Sequence, residues 1–274
     1  MLECMDKNKK ILIFGSSGML GYAISKYFTR KKYHVITFQR DKFDIHLDSI
    51  DFLIPSIKEC DIVINCAGVI KPRIEDLSIE EVLQVNSIFP RNISLLCSEH
   101  KKLFFHITTD CVYSGKKGSY DEFDIFDAED VYGMSKNAGE IFNGMTLRTS
   151  IIGPEINQKR SLLSWIKDQK GKEVNGFDNH LWNGVTTFYL AEIIEKIIDE
   201  GYYANGIHHI FSKDCVTKYQ LLCMINDIYD LNIKINRTMA SQEINRTLST
   251  KKELSFKVAE KSLEQQIIEM KSFQ

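Results

Sequence analysis

Residues 9–21 read Lys9-Lys10-Ile11-Leu12-Ile13-Phe14-Gly15-Ser16-Ser17-Gly18-Met19-Leu20-Gly21, an apolar run and a three-glycine turn, and apolar side chains then recur at helical spacing as far as Arg30. Glycines allow a tight turn, and the first N–H groups of a helix have no partner within it, so a pyrophosphate can bind there. A turn of this kind is also compatible with a plain tight connection, but the strand before it and the helix after it favour dinucleotide binding. We therefore predict cofactor contacts from Gly15, Ser16, Ser17, Gly18, Met19, Leu20 and Gly21.

Short apolar runs alternate with stretches of helical periodicity on the C-terminal side of this turn. Such an order is typical of parallel strands joined by crossover helices. We predict strands at 11–14, 34–38, 61–65, 103–108 and 147–149, and helices at 19–30, 79–86, 87–100 and 132–143. The predicted fold class is α/β, a doubly wound parallel sheet of the Rossmann type, with a small C-terminal substrate lobe.

The pattern becomes less regular after Gly153-Pro154, with helices predicted at 162–170, 187–199, 219–229 and 263–270 and a short strand at 208–211. A chain of 274 residues suffices for one α/β domain with a small lobe. We predict a dinucleotide-binding Rossmann domain at 1–152. Residues 153–274 are expected to form mainly a substrate-binding lobe, with segments that return to the Rossmann sheet.

Composition excludes several classes of protein. Hydrophobic residues make up 43% and charged residues 26%, a balance that builds a core and argues against disorder. A net charge of -2 gives no electrostatic basis for nucleic acid or an anionic membrane as the main partner. Seven cysteines without a C-x-x-C pair argue against a disulfide framework and a metal site. With no apolar leader in residues 1–10, the expected location is cytoplasmic.

Tyr132-Gly133-Met134-Ser135-Lys136 places a phenol and an ammonium four residues apart. Residues at this spacing share one face of a helix, so the two groups can stand side by side. An ammonium beside a phenol favours the phenolate and lowers a pKa that is otherwise about 10. The pair is therefore predicted to exchange a proton near neutral pH.

The G-x-x-G-x-x-G turn and the Tyr132-x-x-x-Lys136 pair together resemble the extended short-chain dehydrogenase/reductase superfamily. The resemblance implies that Thr109 binds the substrate carbonyl oxygen, that Tyr132 donates the proton, and that Lys136 holds the nicotinamide ribose and tunes the tyrosine. Asn86 matches the helix asparagine of the superfamily, and a helix cap is the alternative. A segment similar to the family's N-A-A-G implies cofactor contacts from Cys66, Ala67 and Gly68.

The end of the second predicted strand, Phe38-Gln39-Arg40-Asp41, bears on the choice of cofactor. Gln39 stands where an acidic residue would bind the ribose 2′-hydroxyl of NAD. Arg40 can pair with a 2′-phosphate, so NADPH is predicted, while Asp41 keeps NADH open and a solvated charge pair is the alternative. Asp44-Ile45 resembles the family's adenine contact, although an aspartate that caps its own turn fits equally.

Five further segments, 108–110, 131–133, 147–150, 184–187 and 245–250, resemble the dTDP-4-dehydrorhamnose reductase family over nearly the whole chain. This resemblance implies reduction of the 4-keto group of a nucleotide-linked deoxysugar, for the synthesis of cell-surface polysaccharide precursors. Two departures point to an altered sugar pocket: Cys111 replaces the family's tyrosine, and Ile151 replaces an aromatic residue.

The substrate is expected to contact six polar and aromatic residues: Asp110, Cys111, Asn179, His180, Trp182 and Asn183. For the last four of these, an ordered loop without a binding role is the alternative. A nucleotide-diphosphate sugar also needs cations for its diphosphate. The candidates are Lys159, Arg160 and Arg246, and a solvated surface charge is the alternative for each.

The sequence also bears on three alternative functions, and it leaves a homodimer open. A dehydratase is disfavoured because Cys111 stands where that group has glutamate. A combined 3,5-epimerase and 4-reductase of the GDP-fucose synthase kind would use a Cys111 thiolate, but 153–165 contains no partner histidine. A protein without turnover, similar to the NADP-binding regulatory beta subunit of methionine adenosyltransferase, is disfavoured by the complete Thr109, Tyr132 and Lys136 set.

Overall fold

The computed structural model describes residues 8–38, 40–156 and 161–274. The strands are β1 (Lys10–Phe14), β2 (His34–Thr37), β3 (Ile62–Asn65), β4 (Leu103–Thr109), β5 (Met145–Thr149), β6 (Ile151–Ile152), β7 (Glu173–Phe177), β8 (His180–Trp182), β9 (Val185–Thr186), β10 (Gly206–His209), β11 (Val216–Thr217), β12 (Lys234–Thr238) and β13 (Ile244–Asn245). The helices are α1 (Met19–Arg30), α2 (Ile54–Glu59), α3 (Ile79–Leu83), α4 (Phe89–Glu99), α5 (Val131–Ala138), α6 (Leu162–Lys167), α7 (Thr187–Asp199), α8 (Lys218–Tyr229), α9 (Leu254–Val258) and α10 (Leu263–Phe273).

Within these ranges, the largest sheet has six strands in the order β10-β5-β4-β3-β1-β2, and every pairing in it is parallel. All four residues of β3 are buried, as expected for a parallel strand that helices cover on both faces. Ile11 and Ile13 pack with α1 and α7, whereas Leu12 and Phe14 pack with α2 and α4. The predicted doubly wound α/β fold is confirmed.

The chain leaves this sheet after β5 and forms a lobe of small sheets. β7 pairs with β12, and β11, β8 and β13 form a three-stranded sheet. Helices α6, α8 and α10 bury a separate apolar cluster that includes Trp182, Ile225 and Leu263. Both α7 and β10 return to the main sheet, and the domain boundary at residue 152 stays a prediction. No helix in the described ranges combines the length and the apolar character needed to cross a bilayer.

The two helices predicted at 79–100 are one helix with an irregular turn. A π-helical segment, Gln84–Ile88, joins α3 to α4. Pro90 has no N–H to donate to the carbonyl of Asn86, four residues earlier, so the regular hydrogen-bond ladder cannot continue there. The N–H of Phe89 instead bonds the carbonyl of Gln84, five residues back. Insertions of this kind recur at functional sites.

Candidate active site

The glycine turn between β1 and α1 forms a cradle whose shape excludes side chains. Gly15 has a φ of +76°, and a Cβ on it would lie 2.6 Å from the backbone nitrogen of Ala67. A Cβ on Gly21 would overlap the carbonyl of Gly15. Gly18 begins α1 without a side-chain cap, so the N–H groups of the first turn keep their hydrogen-bonding capacity. This geometry fits a pyrophosphate at the helix N-terminus.

Two buried asparagines hold the segment from Cys66 to Gly68 beside this cradle. Asn65 accepts a hydrogen bond from the N–H of Ala67 at 3.1 Å, and its amide nitrogen lies 3.1 Å from Nδ1 of His106. Asn86 accepts from the N–H of Val69 at 2.8 Å and donates to its carbonyl at 3.1 Å. Asn86 therefore braces the segment from within the π-helical turn, and the helix-cap alternative does not apply. Sequence reasoning did not single out His106, and its only signal was a histidine inside an apolar strand.

Arg40 and Asp44, predicted as separate cofactor contacts, form an ion pair with each other. Nε of Arg40 lies 2.8 Å from Oδ2 of Asp44, and Arg40 holds the pKa of that carboxyl below its usual value. Oδ1 of Asp44 also accepts from the N–H of His46 at 2.9 Å, so the aspartate caps its own turn. Most of the Arg40 side chain, 69%, is exposed and stays accessible to a ligand. Gln39 lies outside the described residues.

The predicted catalytic residues meet at the carboxyl edge of the sheet. Thr109 ends β4, and Tyr132 and Lys136 lie on α5. Asp130 caps α5 by accepting from the N–H of Gly133 at 2.8 Å, which fixes the start of the helix. Lys71 pairs with Asp130 at 2.8 Å and lies 5.7 Å from the centroid of the Tyr132 ring.

The pKa of Tyr132 in the structure differs from the one that the sequence predicts. Burial raises the pKa of Tyr132 above its usual value, Cys111 adds to the rise, and a hydrogen bond with Thr109 opposes it. Lys136 is 5% exposed and donates to the carbonyl of Ile107 at 3.1 Å. Burial lowers the pKa of Lys136 to about 8. The tuning of the phenol by Lys136 therefore stays a prediction, while Tyr132 is protonated at neutral pH.

Sequence reasoning missed a buried ion pair near Lys136. Arg148 of β5 donates to both carboxylate oxygens of Glu140, at 2.9 and 2.6 Å, and lies 2.9 Å from Nε2 of His209. Glu140 follows Lys136 by four residues and opposes the fall of its pKa. The available signal was an arginine within a predicted interior strand, because a buried arginine requires a partner.

On the substrate side, Asp110 and Cys111 directly follow β4. The hydroxyl of Thr109 donates to Oδ1 of Asp110 at 3.1 Å and accepts from the N–H of Cys111 at 3.1 Å. Burial raises the pKa of Cys111 to about 12, and Asp110 adds to the rise. A thiolate is therefore disfavoured at this position, which argues against epimerisation by Cys111.

Three of the loop residues predicted to surround the sugar form hydrogen bonds with backbone groups of neighbouring segments. Both ends of the Asn179 amide bond the backbone of Ala240, and both ends of the Asn183 amide bond the backbone of Leu248. A ring nitrogen of His180 lies 3.0 Å from the carbonyl of Gln242. These contacts fit the ordered-loop alternative, and sugar contacts from Asn179, His180 and Asn183 stay a prediction. Lys159 and Arg160 lie outside the described residues.

Trp182, the fourth of the predicted loop residues, contacts two side chains, Ser150 and Lys218. Its indole N–H donates to Oγ of Ser150 at 2.8 Å, and Nζ of Lys218 lies 5.2 Å from its ring centroid. Arg246 donates from Nε to the carbonyl of Tyr113 at 2.8 Å. Lys218 is the first residue of α8, where the helix dipole disfavours a cation.

Comparisons with known proteins bear on the family and the fold of this chain. The family model of the RmlD substrate binding domain matches residues 9–272. Methionine adenosyltransferase 2 subunit beta of Xenopus laevis is 23% identical over 264 residues, covering 88% of this chain and 78% of that protein. The structure of a dTDP-4-dehydrorhamnose reductase of Clostridium acetobutylicum has a TM-score of 0.78 at 22% identity, covering 96% of this chain and 98% of the other. The dTDP-4-dehydrorhamnose reductase of Bacillus anthracis in complex with NADP gives 0.80 at 19% identity with the same coverage.

Proposed function

Because the chain belongs to the RmlD substrate binding domain family, we propose that it is an NAD(P)H-dependent reductase of a nucleotide-linked 4-keto-deoxysugar. We assign it to the synthesis of cell-surface polysaccharide precursors in the cytoplasm. The observation that carries the proposal is the convergence of Thr109, Tyr132 and Lys136 at one edge of the sheet, beside the glycine cradle. The similar structures named dTDP-4-dehydrorhamnose reductases support the same reaction class.

A nicotinamide dinucleotide fits the residues around the cradle. Gly15 and Gly21 leave the space that a pyrophosphate needs, and the first turn of α1 supplies N–H donors. Arg40 would meet a 2′-phosphate, which favours NADPH and leaves NADH as the alternative. When bound, the cofactor supplies the hydride.

The chain's own residues then position the ketone and supply the proton. Thr109 orients the ketone oxygen, and Tyr132 donates its phenolic proton to that oxygen as it gains negative charge. The raised pKa of Tyr132 suits this direction of reaction, because an acid must be protonated before it can donate. Lys136, buried and adjacent, holds the ribose end of the cofactor.

The test is reduction of a panel of nucleoside-diphosphate 4-keto sugars, followed by NADPH absorbance and by NMR of the product. Tyr132→Phe removes the acid but preserves the ring, so turnover should fall by a factor of about 100 to 10,000 while NADPH affinity stays near that of the parent. Tyr202→Phe is the matched control, since Tyr202 is partly exposed and lies outside the site. A Tyr132→Phe variant that keeps most of its rate would refute the assignment.

A second candidate is a regulatory subunit that binds NADP without turnover. The relative named methionine adenosyltransferase 2 subunit beta favours it, since it is similar over most of both chains. NADPH binding without reduction of any sugar in the panel would select this candidate. Reduction of one sugar, lost in Tyr132→Phe, would exclude it.

A further inference from the structure

The hydroxyl of Thr109 has more hydrogen-bond partners than it has protons. It donates to Oδ1 of Asp110 at 3.1 Å and accepts from the N–H of Cys111 at 3.1 Å. It is also a hydrogen-bond partner of Tyr132, and the proposed reduction requires it to bind the ketone oxygen. A hydroxyl has one proton and two lone pairs, so the partner that takes the proton decides what the others can receive.

Asp110 is the partner whose role can change, because a carboxyl group only accepts when it is ionised and can donate when it is protonated. The side chains of Thr109 and Asp110 are both buried, at 8% and 7% exposure, so bulk water does not compete freely for their hydrogen bond. The backbone N–H of Cys111 can only donate, and it therefore occupies one lone pair of Thr109 in either state.

With Asp110 ionised, the carboxylate takes the only proton of Thr109. Hydrogen bonds to an ionised acceptor are roughly twice as strong as neutral ones, so this arrangement is preferred. Thr109 then presents its second lone pair to the space where the ketone would bind, and that lone pair can accept the phenolic proton of Tyr132. The negative charge also raises the pKa of Tyr132, which makes the phenol a weaker acid.

With Asp110 protonated, the hydrogen bonds in this row reverse their direction. The carboxylic acid donates to the second lone pair of Thr109, and the hydroxyl proton of Thr109 turns toward the ketone. The phenolic proton of Tyr132 is then no longer drawn to Thr109. Both residues present a donor to the oxygen that gains negative charge, which is the arrangement that the reduction needs.

The groups that act on the charge of Asp110 come from several elements. Burial raises the pKa of Asp110 above its usual value. Two cations on other segments, Arg246 after β13 and Lys218 on α8, oppose this rise, and so do hydrogen bonds from Thr109 and Cys111. Because burial outweighs them, Asp110 holds its proton to a higher pH than an exposed aspartate does.

We propose that Asp110 is a positioning residue whose proton sets the direction of the hydrogen bonds from Asp110 through Thr109 to Tyr132, so that reduction proceeds with Asp110 neutral. This inference rests on the proposed function for the ketone that Thr109 and Tyr132 bind. Asp110 gives no proton to the substrate, and it is unchanged after each turnover.

Asp110→Asn tests the proposal, because the amide has nearly the shape of the carboxyl group, carries no charge and can donate to Thr109 through Nδ2. The kcat of the parent should fall by a factor of about 100 as the pH rises through the pKa of Asp110, since a donor to the ketone oxygen is lost. In Asp110→Asn this fall should be absent, so the variant should be faster than the parent above that pH. Asp227→Asn, at an exposed aspartate of α8, is the control and should keep the profile of the parent.

A second measurement needs neither cofactor nor sugar. Carbon-13 NMR of protein labelled at the aspartate carboxyl carbon gives the pKa of Asp110, and Asp110→Asn identifies its signal. Thr109→Val keeps the shape of the side chain and removes the hydroxyl that stabilises the carboxylate, so it should raise the pKa of Asp110. Thr108→Val is the matched control, since the buried hydroxyl of Thr108 has no hydrogen-bond partner among the described residues, and it should leave that pKa unchanged.

Three outcomes overturn the inference. The first is a kcat that does not fall at the pKa of Asp110, or that falls equally in the parent and in Asp110→Asn. The second is an Asp110→Asn variant that loses activity to the same extent at every pH, since the carboxylate itself would then be required. The third is a pKa of Asp110 that Thr109→Val leaves unchanged. If no sugar in the panel is reduced, the proposed function fails, while the NMR titration still decides whether Thr109 and Asp110 are linked.

Discussion

We expect the buried charge of Lys136 to lower the free energy of unfolding, and the Lys136→Met variant tests this directly. The ammonium is nearly fully buried and has one hydrogen bond, to the carbonyl of Ile107. Methionine keeps the length of the side chain and removes the charge. The variant should therefore unfold at a higher urea concentration than the parent at pH 7, while its turnover falls.

The size of the effect follows from the pKa of Lys136, which falls from 10.5 to about 8 on folding. At about 1.4 kcal/mol per tenfold change, a charged Lys136 costs the folded state roughly 3 kcal/mol. Below pH 8 the lysine is charged in both states, so the full cost is present. Between pH 8 and 10.5 the unfolded chain holds more protons, so the parent gains stability with rising pH, by about 2 kcal/mol between pH 7 and 9.5.

The assay is urea unfolding of the parent and of Lys136→Met at several pH values from 7 to 9.5. The variant should have the larger free energy of unfolding at pH 7, and its advantage over the parent should shrink by about 2 kcal/mol between pH 7 and pH 9.5. Lys58→Met, at an exposed lysine on α2, is the control and should show a difference independent of pH. A Lys136→Met difference that stays constant, or that grows with pH, would refute the reasoning.

Two other predictions concern charges. Arg40→Ala should raise the Michaelis constant for NADPH and leave that for NADH nearly unchanged; equal losses with both cofactors would exclude a 2′-phosphate role. Arg148→Met or Glu140→Gln alone should lower the free energy of unfolding by about 3–5 kcal/mol, because each leaves one charge of a buried pair uncompensated. The double variant should lose less than the sum of the single losses, and strictly additive losses in urea unfolding would show that the pair is not coupled.

The sequence predicts the sheet well because its signal is local and strong. The glycine turn and α1 occupy the predicted residues, and the predicted strands differ from the observed ones by one or two residues at their ends. The predicted helix at 132–143 ends instead at Ala138, where Gly139 packs against the carbonyl of Asn86. That contact joins residues far apart in sequence, so periodicity could not reveal it.

The lobe and the arrangement of the buried charges were harder to predict from the sequence. β8, β11 and β13 have two or three residues each, too few to show a period, and their pairing joins segments that lie far apart in the sequence. Thr109, Tyr132 and Lys136 could be predicted as a catalytic set because the spacing of the last two is tied to their chemistry. Glu140 and Arg148 were missed because a buried pair depends on burial and partner, which spacing does not show.

The late return of β10 to the sheet constrains the order in which the chain can fold. β5 pairs with β4 on one side and with β10 on the other, and residues 150–205 separate β5 from β10. A nascent chain that ends before residue 206 carries an open strand edge, and Arg148 on that strand has not met His209. Such edges recruit other chains during synthesis. The sheet gains its last strand only after the segment that carries α6, β7, β8 and α7 has been made, so the chain cannot be shortened after β5 without losing part of the main sheet.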